Sequence, residues 1–162
     1  MNRLRISAKR VASDAETVFA STFYRDHSGA LLRVAFLITG SSQAAEDAVH
    51  EVFLRCLDRG PTLIDPYPYF YRAVVNECRT QYRRSARLAA RSADDRSPAM
   101  ATAAIETRDA LKALTYRKRA VLVLRYYADL SDVEIAAVLS CRPATVRSLA
   151  HRALGELRGQ LS

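Results

Sequence analysis

Four polar residues near the middle of the chain are spaced so that they share one face of a helix. Arg72, Asn76, Arg79 and Arg83 follow one another at intervals of four, three and four residues, the intervals that separate neighbours on a helix surface. Arginine makes contacts with phosphate groups, and asparagine pairs with the edge of a base. The chemistry that this Arg/Asn stripe predicts is the binding of nucleic acid.

Aromatic residues come directly before the stripe, at Tyr67, Tyr69, Phe70 and Tyr71. Rings next to arginine are typical of surfaces on which unpaired bases stack. Packing into the protein core is the competing role, and we expect it for at least two of the four rings. The rings that do not pack into the core indicate that the stripe binds DNA whose bases are unpaired.

A second nucleic-acid surface is predicted near the C-terminus. Ser131 and Glu134 have the spacing of a capping box, which starts a helix. After a short break that ends in Arg142, Pro143 suits the first position of another helix. That helix exposes polar residues on one side, namely Thr145, Arg147, Ser148, His151 and Arg152. The pair predicts a helix-turn-helix, whose second helix enters a DNA major groove; an ordinary helical hairpin with a solvated basic face is the alternative.

The composition favours DNA as the partner and gives no indication of an active site. The 162 residues carry 25 Lys and Arg against 17 Asp and Glu, a net charge of +8, and 22 of the basic residues are Arg. Motifs for phosphate loops, dinucleotide binding, metal clusters and nucleophiles are lacking, and His27, His50 and His151 lie far apart in the sequence. We therefore predict no catalytic residue, no metal site and no cofactor.

Helices must position these residues, and the apolar spacing is helical almost throughout. One helix is predicted over residues 14–38, with Val18 on its apolar side, and a second follows Ser41 and Ser42 with a continuous apolar face over 45–57. Three prolines predict a loop over residues 61–68. A third helix is predicted from about 69 to 90, with these buried residues: Tyr71, Val74, Val75, Cys78 and Tyr82.

Composition also divides the chain. Residues 91–104 are small, polar and aperiodic, which is typical of a linker. Residues 1–91 and 108–162 each carry a net charge of +5, whereas 92–107 carry −2. We predict an all-α fold of two small helical domains, at 15–90 and 106–162, with a basic extension over 1–14 and a flexible linker over 91–105.

The three cysteines indicate a reducing compartment. Cys56, Cys78 and Cys141 are widely spaced and lie in apolar stretches, so we expect buried thiols rather than a metal site or disulfides. The chain contains no apolar run long enough to cross a membrane, and its basic N-terminus lacks the apolar core of a signal peptide. A cytoplasmic protein without membrane insertion is the expectation.

The chain resembles the extracytoplasmic-function (group 4) sigma factors of bacterial RNA polymerase over about residues 15–160. The resemblance is carried by FYRDH at 23–27, AEDAVHEVFLR at 45–55, YFYRAVVNECR at 69–79 and most of 113–154. It implies a region 2-type domain followed by a region 4-type domain. It also implies that the protein binds core polymerase and promoter DNA, and that an anti-sigma factor regulates it.

The resemblance further implies a role for each candidate residue. One set would dock on the clamp helices of the largest polymerase subunit: Asp47, His50, Glu51, Phe53 and Arg55. The flap of the polymerase is a further expected contact of the protein. A second set would read and melt the −10 element, with the loop over 61–68 capturing a flipped base: Tyr67, Tyr69, Arg72, Asn76, Arg79 and Arg83. The third set would face the −35 element: Arg142, Thr145, Arg147, Ser148, His151 and Arg152.

Several positions depart from the family pattern. His50 stands where glutamine is usual, and Tyr69 stands where tryptophan is common but keeps a stacking ring. Leu149 and Ala150 replace a basic residue and a large aliphatic one, which predicts the loss of a phosphate contact, so the family's −35 preference is not carried over to this chain. Ser140 replaces a frequent turn glycine, at a cost in free energy if its φ is positive.

A stand-alone helix-turn-helix regulator is the alternative to a sigma factor. Such a protein usually dimerises and needs no surface for docking on polymerase. The amphipathic helix at 45–55 and the aromatic residues before the Arg/Asn stripe favour the sigma factor.

Overall fold

The chain folds into α-helices wherever its structure is described. The computed structural model describes the backbone of residues 2–59, 66–89 and 102–161, with the side chains of Val18 and of residues 21–56, 68–87 and 108–160. In these ranges there are seven helices and no strand, which confirms the predicted all-α class. They are α1 (Asn2–Thr39), α2 (Ser42–Arg59), α3 (Pro66–Ala89), α4 (Thr102–Ala113), α5 (Tyr116–Tyr126), α6 (Asp132–Leu139) and α7 (Pro143–Leu161).

Helices α1, α2 and α3 pack into the first module. The turn between α1 and α2 requires Gly40, whose φ is +73° and whose Cα hydrogen faces the Lys112 side chain so closely that a Cβ would collide with it. Ser41 then accepts a hydrogen bond from the Ala44 backbone N–H at 3.3 Å. This side-chain cap satisfies one of the free amides at the start of α2.

A cluster of aromatic rings joins the three helices of the first module. Phe70 on α3 stacks on Phe23 of α1 at 4.4 Å and on Phe53 of α2 at 4.7 Å between ring centroids. Tyr24 meets Phe53 edge to face at 4.6 Å. Because such pairs combine a large buried area with a preferred geometry, this ring cluster fixes how the helices cross.

Helices α4 to α7 form the second module, in which local signals determine the boundaries. The Ser131 hydroxyl accepts from the Glu134 backbone N–H, and the Glu134 carboxylate accepts from the Ser131 N–H at 2.7 Å, so the predicted capping box is present. Ser140 ends α6 in the left-handed region with φ +50°. The positive φ considered for this turn is therefore observed, at a position where serine is less favourable than glycine.

The two modules meet at a junction where α6 packs against α3 and α5 packs against α1, and Tyr116 and Arg119 of α5 make hydrogen bonds across it. The Tyr116 hydroxyl donates to the Val75 carbonyl of α3 at 2.5 Å. Arg119 is 2% exposed and donates to the Ile38 carbonyl of α1 at 2.6 Å. Three further carbonyls of its own module accept from the same guanidinium, those of Leu111, Lys112 and Leu114.

Some element boundaries differ from the prediction. Helix α1 already begins at Asn2, because neither glycine nor proline interrupts residues 2–28. Helix α4 begins at Thr102, inside the predicted linker. The rest of that linker, together with residues 61–65 of the predicted loop, lies outside the described residues. The last three residues of the predicted loop, 66–68, belong instead to the first turn of α3, because proline is tolerated at the start of a helix.

Two burial predictions were wrong. Val18 is 63% exposed, and Tyr82 is 37% exposed at the rim of the junction rather than inside the first module. Helical spacing alone cannot show where a long helix leaves its bundle or where a second module covers it only in part.

The cysteines are free thiols with different exposures. Cys78 is fully buried, as predicted, and burial raises the pKa of its thiol to about 12, which makes it a poor nucleophile. Cys56 and Cys141 are half-buried. No described helix combines the length and the apolar character that crossing a bilayer requires.

Candidate nucleic-acid interface

Helix α3 presents the Arg/Asn stripe to solvent. All four side chains of the stripe are exposed, while Val74, Val75 and Cys78 on the other side of the helix are 0–1% exposed. Thr80 donates its hydroxyl hydrogen to the Asn76 carbonyl at 3.1 Å, within the helix. The amphipathic character of α3 therefore separates a core face from a polar face that can approach DNA.

The aromatic residues at the start of α3 divide between core and surface. Phe70 and Tyr71 are 1% and 2% exposed, which confirms that at least two of the four rings are structural. Tyr69 is half-buried, with its ring edge against Phe70 at 5.7 Å. The Tyr67 side chain lies outside the described residues. Tyr69 is thus the ring that the structure leaves partly open beside the stripe.

Helix α7 exposes the predicted recognition face. Arg142 and the five polar residues predicted on this helix are exposed. The opposite side packs inward through Val146, Ala150 and Ala153, each 0–1% exposed. Ala150 therefore belongs to the core, and Leu149 is half-buried. The arrangement of α6, its left-handed turn and α7 is that of a helix-turn-helix.

Asp132 is a residue of this interface that sequence reasoning missed. Its carboxylate pairs with Arg125 of α5 and lies 3.8 Å from Nη1 of Arg147 on α7. The neighbouring Ser131 donates two hydrogen bonds that lower the pKa of the Glu134 carboxyl. Asp132 thus holds one recognition-face arginine near the start of α6, a contact that depends on how the two helices pack.

The polar side of α2 is a separate surface. Asp47, His50, Glu51 and Arg55 are exposed there. Arg55 pairs with Glu51 at 3.1 Å and with Glu77 of α3, whose hydrogen bond raises the pKa of Arg55. Glu77 was not predicted, because it lies 22 residues from its partner.

Phe53 requires a correction. It was placed among the residues that dock on polymerase, but it is 5% exposed and belongs to the ring cluster. Its spacing on α2 puts it on the apolar side, where it holds the helix in place. The exposed polar residues of α2 provide the accessible surface.

The stripe and the recognition helix lie close to one another in this structure. A cleft between the modules is lined by Arg79, Tyr82 and Arg83 of α3 and by Thr115, Tyr116, Arg117 and Leu149 of the second module. Two surfaces suited to DNA therefore share one compact body, and a third surface on α2 carries charges of both signs.

Comparisons with known proteins match both modules. The family model described as Sigma-70 region 2 matches residues 23–88, and the one described as Sigma-70, region 4 matches residues 105–157. The RNA polymerase sigma-E factor of Streptomyces avermitilis is 31% identical over 150 residues, 86% of this chain and 83% of that protein. The ECF RNA polymerase sigma factor SigL of Mycobacterium tuberculosis is 30% identical over 161 residues, 91% of each chain.

A solved structure has the same fold. It is that of the sigma factor RpoE from Bartonella quintana in complex with the anti-sigma factor NepR. The two chains superpose with a TM-score of 0.68 and 19% sequence identity, over 86% of this chain and 96% of that one.

Proposed function

The chain belongs to the sigma-70 family, in its extracytoplasmic-function group, and from that membership we propose how its surfaces divide the work of initiation. The protein binds core RNA polymerase and directs promoter-specific initiation of transcription. Members of this family are initiation factors rather than catalysts, so the chemistry of RNA synthesis belongs to the polymerase. Its place of action is then the cytoplasm, where the polymerase meets the chromosome.

We assign the −10 element to α3 and the −35 element to α7. The observation that carries this assignment is that one chain exposes two separate DNA-type surfaces, the Arg/Asn stripe and the recognition face, on helices whose other sides are fully buried. Arginine at both surfaces suits phosphate and guanine. Tyr69 supplies a ring on which a displaced base can stack, and Tyr67 in the first turn of α3, together with residues 61–65, completes this part of the proposal.

The polar side of α2 is the proposed docking surface for the polymerase clamp. Its residues Asp47, His50, Glu51 and Arg55 are exposed, and charged pairs of this kind orient a partner more than they strengthen its binding. An anti-sigma factor is a further proposed partner, since the structural neighbour was solved with one. A stand-alone regulator would leave the α2 surface without a role.

Run-off transcription with purified core polymerase tests this function. We expect start sites at a defined set of promoters when genomic fragments are supplied with core enzyme and this protein together. The protein alone should bind those fragments weakly and with little sequence preference, because promoter opening and docking are coupled. Equally tight and specific promoter binding without core polymerase would contradict the proposal and favour the stand-alone regulator.

Loss of either recognition-face arginine should weaken promoter use. We expect Arg147→Ala and Arg152→Ala each to cost about 1–3 kcal/mol if the contact is a forked one to guanine. The test measures holoenzyme binding to duplexes that carry the −35 element with a panel of base substitutions. Loss of a guanine contact should weaken binding only to duplexes with that guanine, whereas loss of a phosphate contact should lower the affinity for all sequences equally. Gln160→Ala, an exposed change at the far end of α7, is the control.

A further inference from the structure

Asp132 is an acidic residue beside the recognition face, whose own members are basic or neutral. Its side chain is 21% exposed and lies between those of Arg125 on α5, 27% exposed, and Arg147 on α7, 63% exposed. A carboxylate that approaches phosphate is repelled, which weakens binding to DNA of any sequence. Stability gives little reason for it, because ion pairs that water reaches contribute little to the free energy of folding. A role in recognition is the physical reason that remains for an acid at this place.

The Asp132 carboxylate is fixed by the elements around it. Asp132 is the first residue of α6 and lies inside the capping box that starts this helix. The connection from α5 is tied back to that helix, because the Leu130 N–H donates to the Leu124 carbonyl at 3.0 Å. Arg125, in the last turn of α5, pairs with Oδ1 of the carboxylate. The second oxygen, Oδ2, is the one that faces Arg147.

The Arg147 backbone is anchored, whereas its side chain reaches out into solvent. Arg147 is the fifth residue of α7, in the part of a recognition helix that contacts base edges. The preceding Val146 is 0% exposed and packs into the core. A long arginine side chain loses conformational entropy when it is held in one orientation. Its Nη1 atom lies 3.8 Å from Oδ2 of Asp132, so the carboxylate attracts the guanidinium without taking up its N–H groups in a hydrogen bond.

This contact distinguishes Arg147 from the other arginines of the recognition face. Arg142 and Arg152 are exposed as well, but in the described part of the chain neither has an ion-pair partner. Arg147 is thus the recognition-face arginine whose direction is set before DNA arrives.

We propose that Asp132 is a positioning residue for recognition of the −35 element: held by Arg125, it orients Arg147 in advance for a forked contact to one guanine. The proposal deepens the assignment of α7 to the −35 element and rests on it. Orientation in advance reduces the entropy lost when the fork forms, so it favours the sequence that contains the guanine. The same negative charge opposes binding to every sequence. Asp132 therefore lowers general affinity for DNA and raises specificity at one base pair.

The mobility of the Arg147 side chain in the free protein is the first test. Relaxation of the ¹⁵N-labelled arginine Nε–Hε groups measures this mobility on the ps–ns timescale, with neither polymerase nor DNA present. We expect a higher order parameter for Arg147 than for Arg152, and a fall to the Arg152 value in Asp132→Asn. An Arg147 order parameter that is the same in the wild type and in Asp132→Asn would overturn the proposal.

Asp129→Asn is the matched control for the loss of charge. Asp129 is an exposed acid in the connection between α5 and α6, and its φ of +54° is one that asparagine tolerates. The substitution removes the same charge close to the same surface. We expect it to leave the mobility of Arg147 unchanged.

Holoenzyme binding to duplexes with base substitutions across the −35 element is the second test. The decisive position is the base pair at which Arg147→Ala loses discrimination. There we expect Asp132→Asn to lose about 3- to 10-fold of the preference for guanine, while its affinity for DNA without the element rises about 2-fold because a negative charge has gone. Asp132→Glu should keep most of the preference. Asp129→Asn should keep all of it.

The Arg147→Ala background separates positioning from a general effect on the helix-turn-helix. Asp132→Asn should change no base preference there, because the arginine that it positions is absent. Equal effects of Asp132→Asn with and without Arg147 would overturn the proposal, as would an Arg147→Ala variant that loses affinity equally for all sequences. In both cases wild-type holoenzyme would still select its promoters. A failure of the proposed function would look different, since the wild type itself would then show no promoter preference.

Discussion

Asn76→Ala should reduce transcription from duplex promoters about 10- to 100-fold, while docking on polymerase and recognition of the −35 element remain intact. Asn76 is exposed at the centre of the Arg/Asn stripe, where an amide can pair with a base edge for about 1–3 kcal/mol. Flipping a base out of a duplex costs a few kcal/mol, and stacking on an aromatic ring returns about 1–3 kcal/mol. Because these magnitudes are similar, the loss of one contact is enough to shift promoter opening towards the closed duplex.

Permanganate footprinting of unpaired thymines measures this opening directly. A template with a pre-melted −10 bubble should recover the part of the loss that comes from melting, but less of the part that comes from base recognition. Ser85→Ala, an exposed change on α3 about two and a half turns along the helix from Asn76, serves as the control. A normal bubble in the Asn76→Ala complex would remove Asn76 from the melting step and leave it a structural role.

Phe70→Ala should lower the free energy of unfolding by about 3–5 kcal/mol, the usual cost of removing a buried phenylalanine. Its ring is 1% exposed and is the member of the ring cluster that touches both Phe23 and Phe53. The vacated space lies between three helices, none of which can close it without moving the others.

Urea denaturation followed by circular dichroism checks this prediction. Leu54→Ala provides the comparison, because Leu54 is apolar but 48% exposed on the same α2 helix that carries Phe53, and it should cost well under about 1 kcal/mol. Similar losses for the two variants would mean that the ring cluster does not hold the first module together.

Features encoded by neighbouring residues could be predicted from the sequence. The capping box of Ser131 and Glu134 involves four consecutive positions, and the exposure of the Arg/Asn stripe follows from helical periodicity on one element. The turn at Ser140 follows from the sequence, together with a free-energy cost if its φ is positive; only the sign of φ needs the structure.

Features that depend on how helices cross could not be predicted from the sequence. Arg119 reads in the sequence as another basic surface residue, yet four carbonyls from two separate segments, Ile38 and residues 111–114, surround its guanidinium, and burial lowers its pKa. The pairs Asp132–Arg147 and Glu77–Arg55 likewise join residues 15 and 22 positions apart. Such contacts arise from the packing of whole helices, for which a single sequence gives no direct signal.

The ring cluster has a consequence for how the chain folds while it is synthesised on the ribosome. All of its members precede residue 89, so this part of the chain leaves the ribosome, and can complete the first core, before α5 emerges. Arg119 follows 30 residues after the end of α3, which corresponds to about 2–6 s at the usual 5–20 residues per second of synthesis. During that interval the hydrogen bonds of Tyr116 to α3 and of Arg119 to α1 cannot yet form, so the first module is folded before it is joined to the second.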